Sequence, residues 1–179
     1  MCYRVRTLPT GNGSQRGHTL GYYVSTTGGA FNVPKENEQA AYQAVCALND
    51  RDELKDGGAW GGDHDAEAPR PEGLDFHPSR WFSWMPANYP KKCKTLADVF
   101  TELGFAVIEL EDSISIESYD SKMGQEELFL EAIAPYCDAD SWFEWRGEDG
   151  AQWRHTVQNG RLVVWESEVI YHSPREVGA

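Results

Sequence analysis

Residues 141–171, SWFEWRGEDGAQWRHTVQNGRLVVWESEVIY, decide the fold. Two turn signals divide the stretch into three antiparallel strands. Glu148-Asp149-Gly150 and Asn159-Gly160 place glycine where a hairpin needs positive φ, the second in the favoured two-residue form. Between the turns the apolar residues alternate: Phe143 and Trp145, then Trp153 and Val157, then Val163 and Trp165, each separated by residues that a strand points to the opposite face. Four of the seven tryptophans of the chain lie here.

Working upstream, residues 125–136 carry Leu128, Phe129, Ala132, Ile133 and Tyr136 at helical spacing, with Glu126, Glu127 and Glu131 as the acidic face. Phe105–Leu110 and Ser113–Tyr119 read as two strands around Glu111-Asp112; in the second, Ile114 and Ile116 alternate with Ser113, Ser115 and Glu117, which implies one wet face. Thr95 opens another helix, paired with Asp98 as in a capping box; Leu96, Val99, Phe100 and Leu103 form its buried face and Gly104 its left-handed terminator. Residues 35–49 make an amphipathic helix, apolar at Ala41, Tyr42, Val45, Cys46 and Leu48, with Pro34 suited to its first turn. His18–Phe31 fits a strand bent at Gly28-Gly29. The order strand, helix, long loop, helix, two strands, helix, three strands is α+β. It predicts a mixed or antiparallel sheet with about three helices on one face, and a ferredoxin-like or related split arrangement is the concrete expectation.

At 179 residues the chain suits one domain. The reading is a leader over 1–17, a single domain over 18–173 and a tail over 174–179. Hydrophobic residues make up 40% and aromatics 12%, enough for a packed core. No apolar run reaches the roughly 20 residues of a membrane helix, and the first twenty residues lack the apolar centre of a secretory signal, so a cytoplasmic location is expected. Cys2, Cys46, Cys93 and Cys137 are too widely spaced for a disulfide framework or zinc knuckle and read as free thiols. The exception to regularity is residues 50–94, a long Gly-, Pro- and Asp-rich loop. It carries Trp60, Phe76, Trp81, Phe82, Trp84, Met85 and Tyr89, too many aromatics to leave in water, so at least half of it should fold back on the body.

Charge restricts partners. The net value is −13; residues 1–35 hold four basic groups and no acid, whereas Thr95–Trp145 hold thirteen acids and one base, Lys122. Such a surface repels phosphate, so direct nucleic-acid binding is not expected and a protein with a basic surface is the expected partner. Three residue sets could form sites. Trp81, Phe82, Trp84 and Met85 are the residue types that anchor interfaces when exposed, and core packing is the competing use; Glu126, Glu127 and Glu131 would steer the encounter. Arg146 and Arg154, with Trp60, Trp81, Trp142 or Trp153 as an aromatic floor, could instead bind a planar, nucleotide-like anion. Cross-strand pairing of Glu144 with arginine is the structural alternative. Asp63, His64, Asp65 and His77 have ligand chemistry for a divalent metal, but no spacing among them fixes a coordination geometry, and a solvated turn is the favoured reading. No nucleophile with its base and no phosphate-binding glycine loop occurs, so no catalytic residue and no cofactor are expected.

The segments GYYVSTTGGAFNVPKEN (21–37), HPSRWFSWMPANYPKKCKTLADVFTELGF (77–105) and SWFEWRGEDGAQWRHTVQNGRL (141–162) resemble a group of small acidic proteins of phages and bacteria. The most specific marks are RWFSWM, the EWRGEDGxxWR hairpin and the NGR turn. The group has no established activity, so the resemblance contributes no catalytic residues; it implies a gene of phages or mobile elements. Small acidic proteins of that origin often block a host protein, including defence nucleases with basic sites. An internal regulatory or structural factor of the phage is the further alternative.

Overall fold

The computed structural model describes residues 3–6, 21–59 and 65–167, the first segment as backbone. The strands are β1 (Tyr3–Arg6), β2 (Tyr23–Pro34), β3 (Gly57–Gly58), β4 (Arg80–Trp81), β5 (Phe105–Glu109), β6 (Ser113–Lys122), β7 (Trp142–Gly147), β8 (Gln152–Gln158) and β9 (Arg161–Ser167). The α-helices are α1 (Glu38–Ala47), α2 (Tyr89–Lys92), α3 (Leu96–Leu103) and α4 (Glu126–Ile133). Seven strands form one sheet in the order β1-β9-β8-β7-β2-β6-β5, and β3 pairs with β4 apart from it. Every ladder between described strands is antiparallel. The α+β class and the C-terminal meander are therefore as the sequence implies. The split arrangement expected from sequence is present as well: β2, β5, β6 and β7 with α1, α3 and α4 run β-α-β-β-α-β, and these four strands lie in the order β7-β2-β6-β5, the interleaved, all-antiparallel order of a ferredoxin-like sheet, extended at one end by β8, β9 and β1. Here β2 is inserted between the β5-β6 hairpin and the β7-β8-β9 meander.

Local chemistry explains the elements. Thr95 accepts from the Asp98 amide at 3.1 Å, the Asp98 carboxylate accepts from the Thr95 amide at 3.0 Å, and Gly104 follows at φ 106°. Asn159 and Gly160 both have positive φ, as the tight hairpin requires. The register of β2 shifts against both neighbours around Thr26–Gly29, where Thr26 Oγ1 fills the gap by accepting from the Tyr119 amide at 3.0 Å. Any side chain at Gly29 would collide with the Trp142 carbonyl, so the bend admits only glycine. Pro34, expected in the first turn of a helix, is instead the last residue of β2, and a single 3-10 turn over Lys35–Asn37 precedes α1. Tyr3–Arg6, expected within a leader, forms an edge strand against β9.

The core lies between one face of the sheet and α1, α3 and α4. Phe31, Val33, Phe105, Ile114, Ile116, Phe143 and Trp145 meet Val45, Leu96, Phe100, Phe129 and Ile133 there. Facing pairs such as Phe31 with Ile116 and Val33 with Ile114 show the shared orientation. On β9 the sequence parity is corrected. The two-residue turn pairs Gln158 with Arg161, so Leu162 lies opposite Val157 and Val164 opposite His155 on the core side, while Val163 and Trp165 take the outer face. The segment 50–94 folds back as expected, with Phe82, Met85, Tyr89 and Cys93 all buried.

Candidate functional site

The aromatic set at 81–85 is divided by a tight turn. The Met85 amide donates to the Phe82 carbonyl at 2.9 Å, and the Ser83 amide donates to Gln125 Oε1 at 3.1 Å. Phe82 is 1% and Met85 3% exposed. Phe82 packs edge-on against Phe129 and Tyr89, at centroid distances of 5.3 and 6.3 Å. With both ends of the turn buried, Trp84 between them is driven outward and remains 51% exposed. Its φ is 70°, a conformation that glycine takes readily and that costs a bulky L-residue roughly 1–2 kcal/mol. Its indole rests on Gly124, where a methyl group would come within 2.5 Å of Cδ1. Across Lys122-Met123-Gly124 stands Tyr23, 49% exposed, with Lys122 Nζ 5.8 Å from its ring centre. Trp81 belongs elsewhere: it is half-buried in β4, with its indole against Gly57.

Of the three steering acids, only Glu131 is exposed. Glu126 is 5% exposed. The Gly124 amide donates to both its carboxyl oxygens, at 2.8 and 2.9 Å, and Tyr119 Oη lies 2.6 Å from Oε1. The same Tyr119 hydroxyl lies 2.6 Å from the Lys122 carbonyl, so one phenolic proton faces two acceptors. The set is satisfied in full when Glu126 carries a proton and donates to Tyr119. Burial raises the Glu126 pKa, against the opposing pull of the Tyr119 and amide hydrogen bonds. Glu126 is consequently a buried acid that braces Gly124 beneath Trp84, and the expectation that it lies on the steering surface is corrected. Glu127 is half-buried, with Oε2 4.0 Å from His155 Nε2.

The arginine set is split between the two sides of the sheet. Arg154 lies with its guanidinium 4.6 Å from the Trp142 ring centre and is ion-paired to Glu144. This triad on the outer face matches the structural alternative of cross-strand pairing. Arg146 shares that face and is exposed, whereas Trp153 stacks on Trp145 at 6.0 Å, on the core side. Trp153 therefore cannot floor a pocket with Arg146 and Arg154. Trp60 lies outside the described residues.

Of the metal-ligand set, Asp63 and His64 also lie outside the described residues. Asp65 caps a local turn, accepting from the Glu67 amide at 2.9 Å. His77 is buried, with Nδ1 accepting from the Ser79 amide at 3.1 Å and Nε2 2.9 Å from the Ala68 carbonyl, so both nitrogens serve the loop. Among the described residues no three His, Cys, Asp or Glu side chains converge as a metal site would require. A cleft beside α1, lined by Cys46, Asn49, Asp50, Phe76 and Lys91, takes in none of the candidate site residues.

Among the described residues no helix is long and apolar enough to cross a membrane. No protein family, curated protein or solved structure matches this chain.

Proposed function

We propose that this chain is a non-enzymatic binding protein that docks through Trp84 onto a basic surface of another protein. The observation that carries the reading is the state of Trp84: a half-exposed indole at positive φ, held out by the buried Phe82 and Met85 on either side. Burial of Phe82 and Met85 explains why residue 84 turns outward at positive φ but not why a tryptophan stands there in place of glycine, and large exposed aromatics are the usual energetic centres of interfaces. Tyr23 extends the patch, and the net charge of −13 favours a basic partner. The finer reading is that the partner is a host defence or nucleic-acid-handling protein, inhibited by occupation of its basic surface. It rests on the resemblance to acidic phage and bacterial proteins and on charge.

Affinity capture with the tagged wild-type chain and with Trp84→Ala, followed by identification of the captured protein and measurement of its Kd at low and high salt, tests the proposal. The partner should be lost with Trp84→Ala and bound more weakly as salt rises. Equal retention by the variant would end the Trp84 reading. A Kd independent of salt would remove the basic-surface part.

A further inference from the structure

We propose that the free edge of β5 accepts an extended peptide strand in which apolar residues alternate with lysine or arginine. Among the described residues β5 is the last strand of the seven-stranded sheet and pairs on one side only, with β6. The Leu110 amide donates to the Ser113 carbonyl at 2.9 Å, which makes residues 110 and 113 a hydrogen-bonded pair. Antiparallel alternation then makes Ile108 and Ser115 the next such pair, and turns the main-chain N–H and C=O of Val107 and Glu109 outward to the edge.

Sheets usually protect such an edge with lysine, proline or a bulge. The register shift against β6 falls between Phe105 and Val107, so it leaves the stretch Val107–Leu110 regular, and this stretch holds neither lysine nor proline. Ile108 and Leu110, each 49% exposed, stand on the outer face, where every second side chain of an added strand would land. The intervening residues would meet charge: Glu102, Glu109, Glu111 and Asp112 are all exposed around the strand. The only cation within 4 Å of any of them among the described residues is Lys35, 3.9 Å from Glu109 and closer to Glu38. Two copies of this chain joined edge to edge would bring those acids together, so charge favours a basic strand over a second copy. This surface is separate from Trp84 and does not depend on the preceding proposal.

The test is calorimetric titration of the full chain with a synthetic ten-residue peptide of alternating valine and lysine, against a peptide of the same composition with its valines and lysines in two blocks. Saturable binding of the alternating peptide is expected, with the block peptide at least about tenfold weaker. Glu109→Pro removes an edge donor without removing a β5–β6 hydrogen bond. It should weaken binding about tenfold relative to Glu109→Gln, which loses the charge alone. Ile108→Lys provides a second variant, equally expected to weaken binding, should the proline disturb folding. Trp84→Ala should leave the titration unchanged. Equal affinity for the two peptides, no binding of the alternating peptide, or loss of binding in Trp84→Ala would each overturn the proposal. So would a dimer of the chain alone that Glu109→Pro or Ile108→Lys dissociates.

Discussion

Trp84 rests its indole on Gly124 so closely that a methyl group there would stand 2.5 Å from Cδ1. The contact and the backbone strain at residue 84 make opposite predictions for two small substitutions. Trp84→Ala loses the packing and keeps positive φ, whereas Trp84→Gly loses the packing and relieves the strain. The glycine variant should be more stable than the alanine variant by about 1 kcal/mol in urea denaturation, although both lose the partner. Equal stability of the two would mean that residue 84 relaxes out of the left-handed region in solution.

Glu126 offers a second test, because its folded-state pKa is raised by burial. A carboxyl raised in this way contributes stability while protonated and loses it as pH climbs through the folded-state value. Glu126→Gln keeps a donor for Tyr119 and an acceptor for the Gly124 amide without a titrating group. The variant should match or exceed wild-type stability at pH 8, with the difference shrinking toward pH 5. Tyr119→Phe should cost about 1–3 kcal/mol, since it strands the Lys122 carbonyl and the Glu126 proton. A Glu126→Gln variant several kcal/mol weaker at pH 8 would show that the carboxylate is ionised and needed as such.

How much of this was readable from sequence follows from the range of the interactions. The capping box of Thr95 and Asp98 and the Asn159-Gly160 turn are made by neighbours in the chain, and sequence reports them directly; the bend at Gly28-Gly29 is marked by its glycines, although Trp142, distant in sequence, is what requires them. The parity of β9 is legible too, since a two-residue turn after Gln158 forces Leu162 opposite Val157 and so puts Val163 and Trp165 on the outer face. Phe82 and Trp84 are different. Both are aromatic, two residues apart, and it is packing against Phe129 on another element, with Tyr89 beyond the turn, that determines that the first is buried and the second is not. Glu126 is hidden for the same reason: it lies among acids on a helix, and its partner Tyr119 is on another element.

His155 gives a prediction on the acid side. It is buried on β8 with the Trp145 ring edge-on at 5.8 Å, and neither of its nitrogens has a hydrogen-bond partner among the described residues. Burial lowers its pKa from 6.5 to about 4. The unfolded chain therefore takes up a proton that the folded chain refuses, so stability is full above pH 6.5 and falls as pH drops toward 4, by an amount on the order of 3 kcal/mol. Glu127 Oε2, 4.0 Å from Nε2, is the charged group facing it from α4 and would reduce the loss by attracting the imidazolium. With Glu126→Gln as the common background, so that the opposing titration of Glu126 is removed, His155→Leu should hold a nearly constant urea midpoint between pH 7 and pH 5, where the chain that keeps His155 declines. Parallel decline of the two would show that the histidine is not the titrating group.

The long segment 50–94 is pinned by Asp52, which accepts from Arg70 Nε and Nη2 at 2.8 and 2.9 Å and from the buried Lys55 Nζ at 2.7 Å. Burial alone would raise the Asp52 carboxyl, but hydrogen bonds from Arg70 and Lys55 outweigh it and hold the pKa at about 2. Lys55 also donates to the Asn49 carbonyl at 2.8 Å, so the cluster ties the end of α1 to the middle of the loop. Asp52→Asn leaves two cations, one fully buried, facing each other without a carboxylate. It should cost about 2–4 kcal/mol, reduced from the fully buried case because Asp52 is one-fifth exposed. In Arg70→Ala the lysine keeps its carboxylate, and the cost should be smaller. Since Phe82 and Met85 are placed by the same segment, Asp52→Asn should also speed proteolysis between residues 65 and 80 and weaken partner binding through Trp84. Unchanged proteolysis would show that the aromatic anchors, not the ion cluster, hold the loop.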